Sequence, residues 1–392
     1  MKHPPPAKSR IARLGLAAAL GACLAAAAFA AEYAIEPQYS AVLPGLDYAH
    51  IRVKEVPWSI HVARLDCSRT DFEILSPHAQ GVVHGVAPLS AQVKALRAAR
   101  LCPVAAINGD YFAMDSGPCQ GDPTGLQIIN GELVSTPANT SFWTDNAGRL
   151  QIGVIYSEMA VTWPDGAKMP LGLNQMPASN TVVLFTPTFG PATPAANAAD
   201  VVLEKADPGP WLPLRAGQSY QARVRELKPS GGTRLAPDTA VLAVGTTLAK
   251  PLASLKPGSV LRFSTAISKD LANARAGIGG GPTLLLNGVQ NDWLSKPNPG
   301  EKELPRHPRS AIGFNENHLF LVVVDGRQKS LSAGMTYLEE AALMRQLGCT
   351  EAMNLDGGGS STLWLNGKVV NSPSALRARP LANLLVIVSR DQ

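Results

Sequence analysis

A chain of 392 residues, 45% hydrophobic and 17% charged, has enough apolar material for a large core, and its length suggests about two domains. Glycine (35) and proline (32) together exceed their usual share of roughly 12%, which favours a β-rich, loop-rich protein over a helical bundle. The formal charge of +5 falls to +1 once residues 1–30, with four basic and no acidic residues, are set aside, so charge gives no case for a nucleic-acid partner.

Taken in order, the chain opens with Lys2, Lys8, Arg10 and Arg13, then an apolar stretch from Leu14 to Phe29. Ala28-Phe29-Ala30 is an Ala-x-Ala-like cleavage site, so residues 1–30 are expected to be a signal peptide and the mature protein periplasmic or secreted. Leu20-Gly21-Ala22-Cys23 resembles a bacterial lipobox, which makes a lipoprotein anchored through Cys23 the minority reading. No later segment is apolar enough to span a membrane. Cys67, Cys102, Cys119 and Cys349 remain, and an even count in an exported chain predicts two disulfides with the pairing open.

Residues 31–58 read as irregular apart from a short strand at Ile51-Arg52-Val53. Trp58 to Asp66 alternates as a strand does, and Phe72 to Leu75 reads as its partner. His61, His78 and His84 lack ligand-like spacing and read as surface or satisfied core histidines. Ser90 can cap a helix reaching about Arg100. Val104 to Ile107 then form a short buried strand that delivers Asn108, Gly109, Asp110, Tyr111 and Phe112. From about Ser141 to Lys269, short apolar runs alternate with Pro- and Gly-bearing turns and helical periodicity is nearly absent. Thr336-Tyr337-Leu338-Glu339 is a capping box opening a helix that Gly348 stops. These elements predict an α+β fold, a mixed β-sheet core with a few helices. Residues 31–140 and 276–392 supply its two parts, with β-rich material inserted at 141–275.

The densest signal is Ala352-Met353-Asn354-Leu355-Asp356-Gly357-Gly358-Gly359-Ser360-Ser361. A strand ends on carboxamide and carboxylate, and the glycines after it let backbone turn tightly and approach a ligand. The pattern has an echo: Ala106-Ile107-Asn108-Gly109-Asp110 also ends an apolar run with Asn-x-Asp, also after a helix and a cysteine. The two ends are expected to face each other across one site. Gly-containing turns lead into Asn130-Gly131, Asn287-Gly288 and Asn366-Gly367, each between apolar runs and each predicting a hairpin.

Asn108 to Phe112, Gly279-Gly280-Gly281-Pro282, His307-Pro308-Arg309-Ser310-Ala311-Ile312-Gly313, Val324-Asp325-Gly326-Arg327, Gly334-Met335-Thr336, Asn354 to Ser361 and Asn371-Ser372-Pro373 together resemble the phosphodiester glycosidase family. The resemblance covers roughly residues 100–135 and 275–390. It implies a mixed α/β core and hydrolysis of a sugar-1-phosphodiester.

Such a reaction needs a carboxylate as base or nucleophile and positive charge or N–H donors for the phosphate. Asp356, Asp110 and Asp325 are the carboxylate candidates, and Arg309 is the phosphate candidate because its planar fork suits phosphate. Gly357, Gly358, Gly359, Ser360 and Ser361 offer backbone and hydroxyl donors. Asn354 and Asn108 suit sugar hydroxyls or orient the carboxylates, and His307 shapes the loop or touches substrate. No cofactor is required by this chemistry. Asp and Asn oxygens also suit calcium or magnesium, without a recognisable loop spacing. The Gly-x-Ser-x-Gly elbow fails, because Thr362 stands two places after Ser360. The partner is expected to be a carbohydrate phosphodiester of the cell envelope or an exopolysaccharide, and the rival reading is a non-catalytic glycan-binding module.

Overall fold

A computed structural model describes residues 33, 35–195, 198–206, 208–295 and 304–390. The expected signal peptide, its cleavage site and the lipobox lie outside the described residues.

The central sheet has eight strands in the order 40–43, 46–53, 58–66, 318–324, 309–314, 351–354, 283–286, 289–290, and every neighbouring pair is antiparallel. Its middle strands, 58–66, 318–324, 309–314 and 351–354, are largely buried, because both faces are covered there. Ala63, Leu65, Ile312, Leu321, Val323 and Met353 point into the central core. Ile60, Val62, Ala311, Val322, Val324 and Ala352 point the other way, onto Ala341, Leu343 and Met344 of the helix Tyr337–Gln346. That helix opens with the predicted capping box, Thr336 accepting from the Glu339 N–H at 3.1 Å and Glu339 accepting from the Thr336 N–H at 2.8 Å.

A second sheet, in the order 368–369, 363–365, 102–108, 384–389, 72–75, faces the first across the core. Ile107, Leu363, Leu385 and Ile387 face inward. Ala106, Trp364, Leu384 and Val386 face outward onto Leu89 and Val93 of the helix Leu89–Ala98. A third sheet, 150–154, 140–145, 274–280, 127–129, 132–133, places Phe142, Ile152 and Ile278 in the same core and Leu126, Ile128 and Trp143 against a barrel. The barrel closes seven strands between Ala160 and Ser264, the first (160–162) pairing with the last (260–264). Its strand Ser219–Lys228 shows why: Tyr220, Ala222 and Val224 point in while Arg223 and Arg225 point out, the two-residue period of a half-buried strand.

The molecule is thus mostly β, with three α-helices among the described residues, and α+β fits it only loosely. Several local expectations are corrected. The expected strand at Ile51-Arg52-Val53 is the end of a longer one, Leu46–Val53, which forms a hairpin with Ser40–Leu43 where irregular chain was expected. Phe72–Leu75 is a strand, but its partner is Leu384–Ser389 in the second sheet, not Trp58–Asp66. The first helix begins after Pro88 with no side-chain cap, so Ser90 is inside it. The two expected disulfides are absent: Cys67, Cys102, Cys119 and Cys349 are all free. The fold holds them apart, with Cys349 buried against the helix Tyr337–Gln346, Cys119 in a cluster with barrel residues, and Cys102 opening its own strand. Among the described residues no helix is long and apolar enough to cross a membrane.

Candidate active site

The strands 102–108 and 351–354 belong to different sheets, and their ends meet. The Asp356 N–H donates to the Gly109 carbonyl at 3.0 Å, and Asn108 Nδ2 donates to the Asp356 carbonyl at 2.6 Å. Asn108 Oδ1 accepts from Ser310 Oγ at 2.7 Å and from the Thr362 N–H at 3.1 Å. Asn108 is fully buried with both ends of its amide engaged, so it ties four segments together and offers nothing to a ligand.

Asp110 is buried and tightly surrounded. It accepts from the Gly125 N–H at 2.7 Å and from Thr124 Oγ1 at 3.4 Å, while its own N–H donates to Asn383 Oδ1 at 2.9 Å. A Cβ on Gly279 would lie 2.4 Å from Asp110 Oδ2, and one on Gly125 3.0 Å from it. The glycines flanking two of the hairpins therefore let backbone close around this carboxyl. Burial, helped by the nearby charge of Asp356 and opposed by the Gly125 and Tyr111 N–H groups, pushes Asp110 up to about 7. Asp122, absent from the sequence-derived candidates, stands beside it and is pushed up to about 8, by burial first and then by the Asp110 charge.

Asp356 is half-buried. Burial raises its pKa, and the Ser360 hydroxyl, the charge of Arg379 and the Gly357 N–H oppose the rise. Asn354 is buried, with Nδ2 donating to Tyr111 Oη at 2.9 Å and to the Gly281 carbonyl at 2.8 Å. Its Oδ1 has no partner among the described residues. Tyr111 Oη lies 3.4 Å from Tyr337 Oη, so two phenols border this side of the site.

The glycine turn is less of a nest than its sequence suggested. The Gly358 N–H donates to Pro308 O, Ser360 N–H to Gly357 O and Ser361 N–H to Gly358 O, so of Gly358, Gly359, Ser360 and Ser361 only Gly359 keeps its N–H out of such bonds. What the glycines provide is room. A Cβ on Gly359 would meet Arg379 Cζ at 2.8 Å, and one on Gly358 would meet Arg327 Nη1 at 3.1 Å. Gly358 also has φ +62°, a region that favours glycine.

Two candidates are committed elsewhere. Asp325 Oδ2 lies 3.0 Å from His61 Nε2, and Oδ1 accepts from Asn371 Nδ2 at 3.0 Å and the Ser372 N–H at 2.9 Å. Burial alone would raise this carboxyl, but the His61 bond and charge, then Asn371 and Ser372, hold it below the usual carboxylate range. Asn371 also donates to the Ser361 carbonyl at 3.1 Å, so Asp325 braces the glycine turn from behind. Arg309 is buried, with Nε donating to Met335 O at 2.8 Å, Nη2 reaching Pro305 O at 3.4 Å, and its plane 3.8 Å from the Tyr337 ring centroid. Its charge works against the rise of Glu340, which burial pushes up to about 8. The fork that suggested a phosphate clamp is therefore engaged by backbone carbonyls. His307 exchanges backbone hydrogen bonds with Met335, and its Nδ1 accepts from Arg327 Nη2 at 3.3 Å.

Of the residues that sequence reasoning missed, Arg379 has no motif around it. Asp122 sits in the Gly-containing turn that leads into Asn130-Gly131, which was read only as a hairpin signal, and Arg327 lies in the Val324–Arg327 segment without a role. Among the described residues no group of three or more His, Cys, Asp or Glu side chains is placed to hold a metal ion.

Residues 219–388 match the family model of the phosphodiester glycosidases, and that stretch carries the Gly357–Ser361 turn, Asp325, Asp356, Arg309 and Arg379. Over 67 residues the chain is 40% identical to N-acetylglucosamine-1-phosphodiester alpha-N-acetylglucosaminidase of Mus musculus, covering 17% of this chain and 13% of that protein. Over 83 residues it is 39% identical to the SPbeta prophage-derived uncharacterized protein YomE of Bacillus subtilis, covering 21% of this chain and 13% of that one. The matches thus span about an eighth of the length of either curated relative. In fold the chain resembles a hypothetical protein from Synechocystis, with TM-score 0.70 and 20% identity over 91% of this chain and 64% of that one.

Proposed function

We propose that this chain is an exported hydrolase that cleaves a glycosyl phosphodiester at the anomeric carbon, acting in cell-envelope or exopolysaccharide glycan metabolism. The observation that carries the reading is the lock between the two Asn-x-Asp ends, Asp356 N–H to Gly109 O at 3.0 Å, which sets Asp110 and Asp356 together in unlike environments. Two acids whose surroundings treat them differently are how one site supplies both a base and a proton-holding partner near neutral pH. Asp356, the more accessible of the two, takes the role of base or nucleophile at the anomeric carbon. Asp110 holds a proton up to about 7 and keeps the pair from carrying two full charges.

The atoms balance simply. The bond between the anomeric carbon and the phosphate oxygen breaks, and its electron pair leaves on the phosphate monoester. Water supplies the new oxygen at carbon, directly or after a glycosyl-Asp356 intermediate, and its proton passes to a carboxylate. A phosphate monoester is a weak base, so the site does not need a strong general acid. The tight enclosure of Asp110 agrees with a partner that tunes Asp356 instead of reaching the leaving group. No step draws on a metal ion.

The test is turnover of a panel of sugar-1-phosphate diesters by the purified protein, with products identified, beside Asp356→Asn. Turnover should fall by about 10²–10⁴-fold in the variant, while substrate affinity changes little. Glycan binding without turnover in the native protein would return the chain to the binding-module reading. Full turnover in Asp356→Asn would pass the role to Asp110.

A further inference from the structure

Two guanidinium groups sit against consecutive residues of one turn. Arg327 Nη1 is 3.1 Å from where a Gly358 Cβ would stand, and Arg379 Cζ is 2.8 Å from where a Gly359 Cβ would stand. Consecutive Cα atoms are about 3.8 Å apart, so the two cations share one small region of surface. Neither is in an ion pair among the described residues, whereas Arg64, Arg69, Arg149, Arg275, Arg306 and Arg390 all are. Arg379 Nη1 reaches Ser360 Oγ at 3.5 Å, and Arg327 Nη2 reaches His307 Nδ1 at 3.3 Å. Beside them the Gly359 N–H makes no backbone hydrogen bond to the loops and turns among the described residues, and Ser361 Oγ is buried without a partner among them. Arg379 also bears on the Asp356 carboxyl, so the turn carries one cation beyond the charge of that carboxylate, beside the Gly359 N–H and the Ser361 hydroxyl, and such a set suits an anion.

We infer that Arg327 and Arg379, with the Gly359 N–H, form the phosphate subsite, and that this pair, not Arg309, carries the charge of the departing phosphate. The inference rests on the hydrolytic reading for the identity of its substrate. A diester phosphate has one negative charge, and a monoester near pH 7 has about 1.5 to 2. Two guanidiniums therefore match the leaving group better than the substrate, and their attraction grows as the carbon–oxygen bond breaks. That is the condition for an interaction to speed the reaction instead of only tightening binding. The same match makes the phosphate product hold more tightly than the diester, so inorganic phosphate and phosphate monoesters inhibit by competition. The triple glycine follows from this arrangement: side chains at 358 and 359 would occupy the space of the two arginines.

The probe is inorganic phosphate, titrated calorimetrically at low ionic strength into the native protein, Arg327→Gln, Arg379→Gln and Arg379→Lys. Arg306→Gln is the control, because Arg306 already pairs with Glu339. Phosphate should bind the native protein and Arg306→Gln equally, and each glutamine variant should bind about tenfold more weakly or worse. Arg379→Lys should recover little, since an ammonium lacks the planar fork. Thermal unfolding of each variant checks that it is folded, and a pair in which one glutamine variant fails to fold is decided by the other arginine and by Arg379→Lys. Absence of millimolar phosphate binding by the native protein overturns the subsite, as does equal affinity in all variants. A native protein that binds phosphate through these arginines but cleaves no glycosyl phosphodiester would sink the proposed reaction and leave the subsite standing.

Discussion

Asp110 and Asp356 show how far residue identity alone reaches. Both were legible because Asn-x-Asp recurs at the end of two apolar runs. Their unlike surroundings were not, because the enclosure of Asp110 comes from Gly125 and Gly279, 15 and 169 positions away in the chain. The same holds for Arg309 and Arg379. The first sits in a motif and looks like a phosphate ligand, yet its Nε and Nη2 go to the Met335 and Pro305 carbonyls. The second is in no motif, and only the folded chain sets it beside Asp356. The raised pKa of Asp110 has a testable sign. Unfolded, its carboxyl loses its proton near pH 4; folded, it keeps it to about 7. Between those values the native state binds the extra proton, so this group's contribution to stability is greatest at low pH and is lost as pH rises through about 7. Asp110→Asn has no such dependence. Its unfolding free energy should therefore improve relative to the native protein from pH 4 to pH 8, as measured by denaturant titration at each pH. A difference that is flat, or that moves the other way, would show that Asp110 is ionised in the folded chain.

At the level of elements, what depends on local chemistry was readable. The hairpins at Asn130-Gly131, Asn287-Gly288 and Asn366-Gly367 all form, each with positive φ at both turn residues, the geometry that Asn-Gly favours. The capping box at Thr336 forms for the same reason. Pairing between distant strands was not readable. Phe72–Leu75 joins Leu384–Ser389, and nothing in either stretch names the other. Nor did any pattern show that Asn108 would be the knot between the strand ends. Asn108→Ala takes this partner from Ser310 Oγ, which is buried, and from the Thr362 N–H and the Asp356 carbonyl, which are partly buried. At roughly 1–3 kcal/mol for each unsatisfied group, softened by relaxation, stability should fall by about 3 kcal/mol. Turnover should fall with it, because Asp356 loses its register against Gly109. A loss below about 1 kcal/mol would mean that the two strand ends hold together without this amide.

At the scale of the molecule, the central sheet draws strands from residues 40–66 and from residues 283–354, while the second draws from 72–108 and 363–389. Interleaving of that kind leaves no mark on composition, so the sequence reading could see a β-rich middle but not the sheets that close over it. Residues 140–154 and 274–280 illustrate the limit: they sit at the borders of that middle, and they form the wall between the central core and the barrel. The cysteines misled for a related reason. Counting four of them says nothing of where the layers put them, and the layers keep them apart. The same assembly of layers brings the Gly357–Ser361 turn, Asp110 and Arg379 to one place, and the proposed chemistry depends on it. In the proposed reaction the bond broken is the one between the anomeric carbon and the phosphate oxygen. Hydrolysis of a turned-over glycosyl phosphodiester in water labelled with heavy oxygen, followed by mass spectrometry of both products, reads that bond directly. The label should appear in the sugar and not in the phosphate monoester; label in the phosphate would mean attack at phosphorus and would contradict the assignment of Asp356 and of the arginine pair together.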